Sequence, residues 1–373
     1  MKKIMCVFGT RPEAIKMAPV INEIKKNKRF NLVNVITAQH REMLDQVIEY
    51  FDISIHYDLN IMKKNQTLSL ITALVIERLE EVVAYEKPDM IVVHGDTTTT
   101  MAASLVGFYN HVPIAHVEAG LRTNDLYSPF PEEFNRTLVD KISTLHFAPT
   151  NRSKENLIEE KIDPYKISIT GNTSIDALDL TISEDYYHKV LDQVDPKNQF
   201  ILLTTHRREN FGDTLTSIFQ VVLDIVKKYQ TIEFIFPVHP NPHVRELAYQ
   251  MLGNHERIHL IEPLSVFDFH NIAKRSFIIM SDSGGVQEEG PSFDKPILVL
   301  RDVTERPEGV EAGALKLVGS NKQKIFSELE RLINEGDYYQ KISSVQNPYG
   351  DGKASQRIVE TMEAYFDQLD QSK

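Results

Sequence analysis

The chain has 373 residues, with 41 lysines and arginines against 53 aspartates and glutamates, for a net charge of −12. That length predicts two domains, each with its own core. The acidic balance, with no basic cluster, argues against a nucleic-acid partner and makes any affinity for phosphate a local property. The single cysteine, Cys6, cannot close an intrachain disulfide, and the apolar run after Met1-Lys2-Lys3 ends at Phe8, too short for a signal peptide or a membrane span. The expectation is a cytoplasmic protein with no membrane partner. Ile4 to Phe8 reads as a strand covered on both faces. Gly9-Thr10-Arg11-Pro12-Glu13 then opens a helix that turns Ile15, Ala18, Ile21 and Ile24 toward the core. Leu32 to Ile36 is the next strand, and Met43, Val47, Ile48 and Phe51 mark the next helix. Leu68 to Val83 is a long amphipathic helix, and Met90 to Val93 a buried strand. A helix from about Thr98, the strand Pro113 to Val117 and the run Leu145 to Ala148 complete a first alternation.

A second alternation runs from Phe200-Ile201-Leu202-Leu203 through a helix near Leu215 to Val226, the strand Phe234-Ile235-Phe236, and a helix from about Val244. Ile258 to Ile261, Phe277 to Met280 and Ile297 to Leu300 supply further strands. Thr181 to Asn198 is polar and reads as a linker, and Asp351 to Phe366 as a closing helix. The predicted class is α/β, with two Rossmann-like, doubly wound domains and a ligand cleft between them. Residues 1–180 and 181–350 form the two domains, and 351–373 packs back on the first.

In open parallel sheets, ligands sit beyond the carboxyl ends of the strands, so the polar residues there are informative. The first half offers Arg11, with Lys16 one turn inside its helix, then Asp96, Glu118 and Glu132. The second half offers His206, the turn Ser281-Asp282-Ser283-Gly284-Gly285, and Arg306. A strand that stops at Ser-Gly-Gly and turns into a helix leaves free N–H groups, and glycines let an anion approach the backbone. Glu288 and Glu289 follow and could accept from ribose hydroxyls. Carboxylates on one side and anion-binding groups on the other suit a substrate with an anionic leaving group, provided the acids are tuned apart in pKa.

Structural alternatives stand beside each residue. Ser283 could be a plain N-cap, Asp96 could cap the helix that follows it, and Glu118 could pair with Arg122 at i+4. Glu132 could simply occupy a helix start, His206 be a satisfied structural histidine, and Arg207 and Arg208 a solvated pair. His239 and His243 have a metal-like spacing, but Pro240 and Pro242 break the helix that would align them. No dinucleotide fingerprint, lysine phosphate loop, Asp-x-Asp pair or zinc signature occurs, so neither metal nor cofactor is expected.

Several stretches resemble the bacterial non-hydrolysing UDP-N-acetylglucosamine 2-epimerases. They are Phe8 to Pro19, Thr37 to Arg41, His94 to Thr99, His116 to Arg122, His206 to Glu209, Ser281 to Gly285, Arg301 to Glu308, and Asn347 to Gly352. The resemblance spans Lys3 to about Phe366. It implies a glycosyltransferase-B-like fold, a cytoplasmic homodimer, and interconversion of UDP-N-acetylglucosamine and UDP-N-acetylmannosamine for a surface polysaccharide. The implied route eliminates UDP to give 2-acetamidoglucal and then adds it back. Asp96, Glu118, Glu132 and His206 match the family's catalytic positions. Arg11, Lys16, Phe269, Ser283, Gly284, Gly285, Glu289 and Arg306 match its UDP-contacting positions. Gln39, Arg207 and His239 match a regulatory nucleotide-sugar site found in some members, whereas Glu42 and Asn65 stand where those members have glutamine and arginine. A glycosyltransferase, the hydrolysing relative, and a non-catalytic sugar-nucleotide sensor are the competing readings; three acids on the sugar side argue against the sensor.

Overall fold

The computed structural model describes residues 1–38, 41–62, 66–207 and 210–371, with only the backbone at 42 and 43. The chain divides into two units, Met1–Leu180 joined by the chain from Gly350 onward, and Thr181–Tyr349. The first unit alternates β1 (Lys2–Phe8), α1 (Arg11–Lys26), β2 (Phe30–Ile36), α2 (Arg41–Tyr50), β3 (Tyr57–Asp58), α3 (Leu68–Glu86) and β4 (Met90–His94). It continues with α4 (Thr98–Tyr109), β5 (Ile114–Val117), α5 (Glu132–Ile142), β6 (Leu145–Ala148), α6 (Asn151–Glu159), β7 (Ile167–Ile169) and α7 (Thr173–Thr181). The second unit holds β8 (Gln199–Thr204), α8 (Asp213–Lys228), β9 (Ile232–Pro237), α9 (Pro242–Leu252), β10 (Ile258–Ile261), α10 (Val266–Arg275) and β11 (Ile278–Ser281). There follow α11 (Gly284–Glu289), β12 (Ile297–Val299), α12 (Pro307–Glu311), β13 (Leu315–Leu317), α13 (Lys322–Asn334) and α14 (Gly336–Ser343); α15 (Ala354–Gln371) returns to the first unit.

Both sheets are parallel, ordered β3-β2-β1-β4-β5-β6-β7 and β10-β9-β8-β11-β12-β13. Each is doubly wound, so strand order reverses between β1 and β4 in one sheet and between β8 and β11 in the other. Those reversals open a crevice at the carboxyl ends. The continuous apolar runs follow from burial on both faces: Ile4 to Phe8, Met90 to Val93 and Ile201 to Leu203 are fully buried. Cys6 packs among them as a small hydrophobe, and burial pushes its thiol up.

Some elements differ from their expected ends. α3 continues past Val83 to Glu86 and stops at Lys87, which adopts a left-handed conformation (φ 48°). The closing helix begins at Ala354 rather than Asp351. There the Asp176 carboxylate accepts from Ala354 N at 3.2 Å and Ser355 N at 2.7 Å, capping α15 onto α7. The strand expected from Phe277 starts at Ile278; the Phe277 carbonyl oxygen accepts from the Tyr339 hydroxyl at 2.8 Å, and the two rings stack at 4.8 Å. Among the described residues no helix is long and apolar enough to cross a membrane.

Candidate functional site

In the first unit, the loops after β1 and β4 are pinned by one acid. Thr10 and Glu13 form a reciprocal capping box at the start of α1. The Glu13 carboxylate accepts from Gly9 N (2.9 Å) and Thr10 N (2.7 Å), and from the hydroxyls of Thr97 (2.6 Å) and Thr100 (3.0 Å). Arg11 lies exposed at the first helical position. Thr97, not Asp96, caps α4, accepting from Thr100 N at 3.1 Å. The capping role considered for Asp96 is therefore filled by its neighbour. Asp96 instead faces Arg136 Nη1 at 3.2 Å with its side chain 28% exposed, and its main-chain carbonyl accepts from Asn135 Nδ2 at 2.9 Å. Burial raises its pKa, opposed by Arg136 and reinforced by Glu118 and Glu132.

Glu118 follows β5 in a left-handed conformation (φ 67°), strained for a residue with a Cβ. Gly120 follows at φ 86°, where a Cβ would meet Ser153 O at 2.2 Å. No helix forms there, so the pairing considered with Arg122 does not occur. Lys16 and Asn172 donate to Glu118 instead, the latter at 3.0 Å. Burial alone would raise the Glu118 carboxyl, but Lys16 and His94 hold it well below the ordinary range. His94 Nε2 lies 3.6 Å from Glu118 Oε2, beyond hydrogen-bond length, and neither buried ring nitrogen of His94 has a hydrogen-bond partner among the described residues. Glu132 opens α5, while Glu133 beside it binds Arg136 and the backbone of Thr123 and Asn124.

In the second unit, β8 and β11 end side by side, with Thr204 Oγ1 and Ser281 Oγ 2.7 Å apart. Asp282 is fully buried and gathers the loop after β8. It accepts from Thr205 Oγ1 (2.9 Å), His206 N (3.0 Å), Arg207 N (3.0 Å), Asn210 Nδ2 (2.9 Å) and His206 Nδ1 (3.0 Å). Burial opposes its ionisation, but hydrogen bonds from His206 and Arg207 bring it down to about 2. A carboxylate only accepts, so His206 Nδ1 carries a proton and Nε2 is left to work. The His206 side chain is 40% exposed.

Ser283 is the N-cap residue of the six-residue α11 but makes no side-chain cap bond. A Cβ at Gly284 would lie 2.9 Å from Arg306 Cζ, so glycine lets that guanidinium rest against the turn. Gly285 has open space, its Cβ position meeting only Ser283 Oγ at 3.9 Å. The Glu288-Glu289 pair expected to accept from ribose divides. Glu288 is buried and holds Arg306 Nε at 2.6 Å, whereas Glu289 meets His270 Nε2 at 3.2 Å. Phe269 is half-buried on α10, its ring 6.0 Å from that of His270. His239 stacks on His206 at 6.0 Å, and burial, then the His206 charge, lowers its pKa. Gln39, Asn65, Arg208 and the Glu42 side chain lie outside the described residues.

The chain matches, over residues 22–363, the family model described as UDP-N-acetylglucosamine 2-epimerase. It belongs to that family. With it, the chain belongs among the isomerases. The family's Bacillus subtilis member is 53% identical over 96% of this chain and 94% of its own. A Neisseria meningitidis epimerase crystallised with UDP-GlcNAc bound is 50% identical, with a TM-score of 0.86 over 97% of this chain and 100% of that one. A Methanocaldococcus jannaschii epimerase in complex with UDP-GlcNAc and UDP is 35% identical, with a TM-score of 0.77 over 97% and 99%.

Glu13, Arg136, Asp140 and Asn172 are residues that sequence reasoning assigned no role, and Asp282 was named there only as part of its turn. Only Glu13 carried a signal, the Thr-x-x-Glu spacing of a capping box. Asp140 is fully buried, and although burial opposes ionisation, His116 and Arg122 bring its carboxyl down to about 2, as hydrogen bonds do for Asp282. Both carboxyls titrate lower folded than unfolded. Their stabilisation is therefore complete above the unfolded value of about 3.9 and is lost as pH falls toward 2. The thermal midpoint should drop across that window, and Asp140→Asn should flatten the slope in a pH series of melting curves.

Proposed function

We propose that the chain interconverts UDP-N-acetylglucosamine and UDP-N-acetylmannosamine by elimination and re-addition of UDP. It would do so as a cytoplasmic homodimer supplying a surface polysaccharide. The observation that carries the mechanism is the opposite tuning of Asp96 and Glu118 at the ends of adjacent strands, one raised by burial and the other held anionic by Lys16. A raised carboxyl is the better proton carrier, and a clamped anion compensates positive charge developing at C1. In the forward half-reaction the C2 proton passes to Asp96. The C–H electron pair becomes the C1=C2 bond, and the C1–O pair leaves with UDP. In the return, UDP oxygen attacks C1 and a proton reaches C2 from the other face. Glu132, close enough to act on the Asp96 pKa, is the proposed donor: it takes a proton from solvent before the return and gives it to C2, and Asp96 releases its own proton to solvent to reset the site. In the second unit the diphosphate is proposed to lie at the Ser283-Gly284-Gly285 turn with Arg306, where an N–H at His206 Nε2 donates to the departing oxygen.

Incubation with UDP-N-acetylglucosamine in deuterated water tests this. Deuterium at C2 together with a UDP-N-acetylmannosamine signal is expected. Free N-acetylmannosamine plus UDP would instead identify the hydrolysing reaction, and an unchanged substrate would remove the proposal. A second prediction concerns the diphosphate. Gly284→Ala places a methyl group against Arg306 and should weaken UDP binding about 10-fold, the loss of one charge-assisted contact. Titration calorimetry with UDP reads this directly.

A further inference from the structure

The loops that carry Asp96 and Glu118 are joined beneath the site by a buried cluster built on His116, the third residue of β5. His116 is completely buried. Its Nδ1 lies 2.6 Å from Asp140 Oδ1, and its Nε2 lies 2.7 Å from the carbonyl oxygen of Gly95, the residue before Asp96. Asp140 Oδ2 also accepts from Gly120 N at 3.2 Å, two residues after Glu118, and from Arg122 Nη2 at 2.7 Å. Arg122 Nε reaches Glu160 Oε1 at 2.5 Å.

The donor count fixes the protonation of the ring. A carbonyl oxygen accepts only, and so does a carboxylate. Asp140 takes two N–H donors besides the histidine, which is the environment of an ionised carboxylate rather than of an acid. Both ring nitrogens of His116 must therefore donate. Arg122 bridges Asp140 and Glu160, and Glu160 is shared in turn with Lys141, whose Nζ lies 3.3 Å from Glu160 Oε2; the imidazole faces Asp140 alone. His146 is the cross-strand neighbour of His116 on β6. Its Nε2 donates to Asp140 O at 2.7 Å, while its Nδ1 is 3.3 Å from Lys166 O. Burial first, and His116 among the smaller causes, hold it below the ordinary histidine value.

We propose that His116 donates from both ring nitrogens, as an imidazolium, and is the positioning residue that sets Asp96 and Glu118 in register with each other. One N–H fixes the Gly95-Asp96 turn. The other fixes Asp140, and through it the Gly120 end of the strained Glu118 turn. The inference rests on the reading that Asp96 and Glu118 act on C2 and C1, but its first test does not.

That test is nitrogen NMR of the full-length protein labelled at its histidine ring nitrogens, with the His116 signals assigned by their loss in His116→Gln. Two protonated ring nitrogens at neutral pH are expected. One bare nitrogen at neutral pH would overturn the proposal, whatever the kinetics show. Asp140→Asn, in which an amide can donate to Nδ1, should convert the ring to the neutral form; a ring still doubly protonated there would also overturn it. The positioning role is read from His116→Gln, which keeps one donor. Its kcat should fall about 10²-fold, the cost of a misplacement near 1 Å, with KM and UDP affinity nearly unchanged. A kcat within about twofold of the parent would remove that role. If His116→Gln does not fold, Asp140→Asn carries the same comparison of kcat with KM.

Discussion

Asp96→Asn is expected to lower kcat by about 10²- to 10⁴-fold while UDP binds with parental affinity. The amide keeps the size of the side chain and can still meet Arg136, but it takes no proton. Deuterium incorporation at C2 should fall in step with turnover, because both pass through the same proton transfer. The pH profile adds a check. The Asp96 carboxyl is raised by burial, so in the parent protein activity declines on the acid side at a pH above that of an ordinary aspartate. The residual rate of the variant should lack that limb. Stability should move the other way. A carboxyl whose folded pKa is raised opposes folding once pH exceeds its unfolded value, so replacing it with a neutral amide removes a cost. A melting temperature at or above the parent's, beside a collapsed kcat, separates lost chemistry from lost structure. Near-normal C2 exchange would show that Asp96 is not the proton carrier.

The parallel sheets were legible because burial on both faces leaves uninterrupted apolar runs such as Ile4 to Phe8, and because helices must return the chain between parallel strands. The strand ends then named the loops. Short edge elements escaped: Tyr57–Asp58 and Leu315–Leu317 are too brief for a periodic signal and form only because a neighbouring strand offers its edge. At the site, the positions of Asp96, Glu118, His206 and the Ser-Gly-Gly turn could be read, but their partners could not. Lys16 meets Glu118 across 102 residues, and Thr205 meets Asp282 across 77. Local spacing pointed instead to Arg122 for Glu118, and that pairing needs a helix which Gly120 prevents. Glu288 shows the same limit: sequence placed it beside a nucleotide, but it is the arginine 18 residues on that claims it.

Asp282→Asn is expected to lower kcat by about 10²- to 10⁴-fold through the charge and hydrogen bonding of His206. The parental carboxylate accepts from Nδ1–H, which lets Nε2, facing outward, donate as well. An amide nitrogen presented to Nδ1 would leave Nδ1 bare and the ring uncharged, a weaker donor to the departing oxygen. The same carboxylate also accepts from the backbone N–H groups of His206 and Arg207, from the Thr205 hydroxyl and from the Asn210 side-chain amide. The variant should therefore melt lower as well, and the kinetic loss alone would not identify the cause. A double-variant comparison does. If Asp282 acts through the ring, combining Asp282→Asn with His206→Ala should cost about as much as the worse single change, because a carboxylate that acts through the ring has no effect once the ring is gone. If the two losses multiply, Asp282 works independently of His206 and serves the Ser283-Gly284 turn that follows it. UDP affinity distinguishes these cases in the single variant: it should stay within a few-fold of the parent's when the ring is at fault and fall when the turn is.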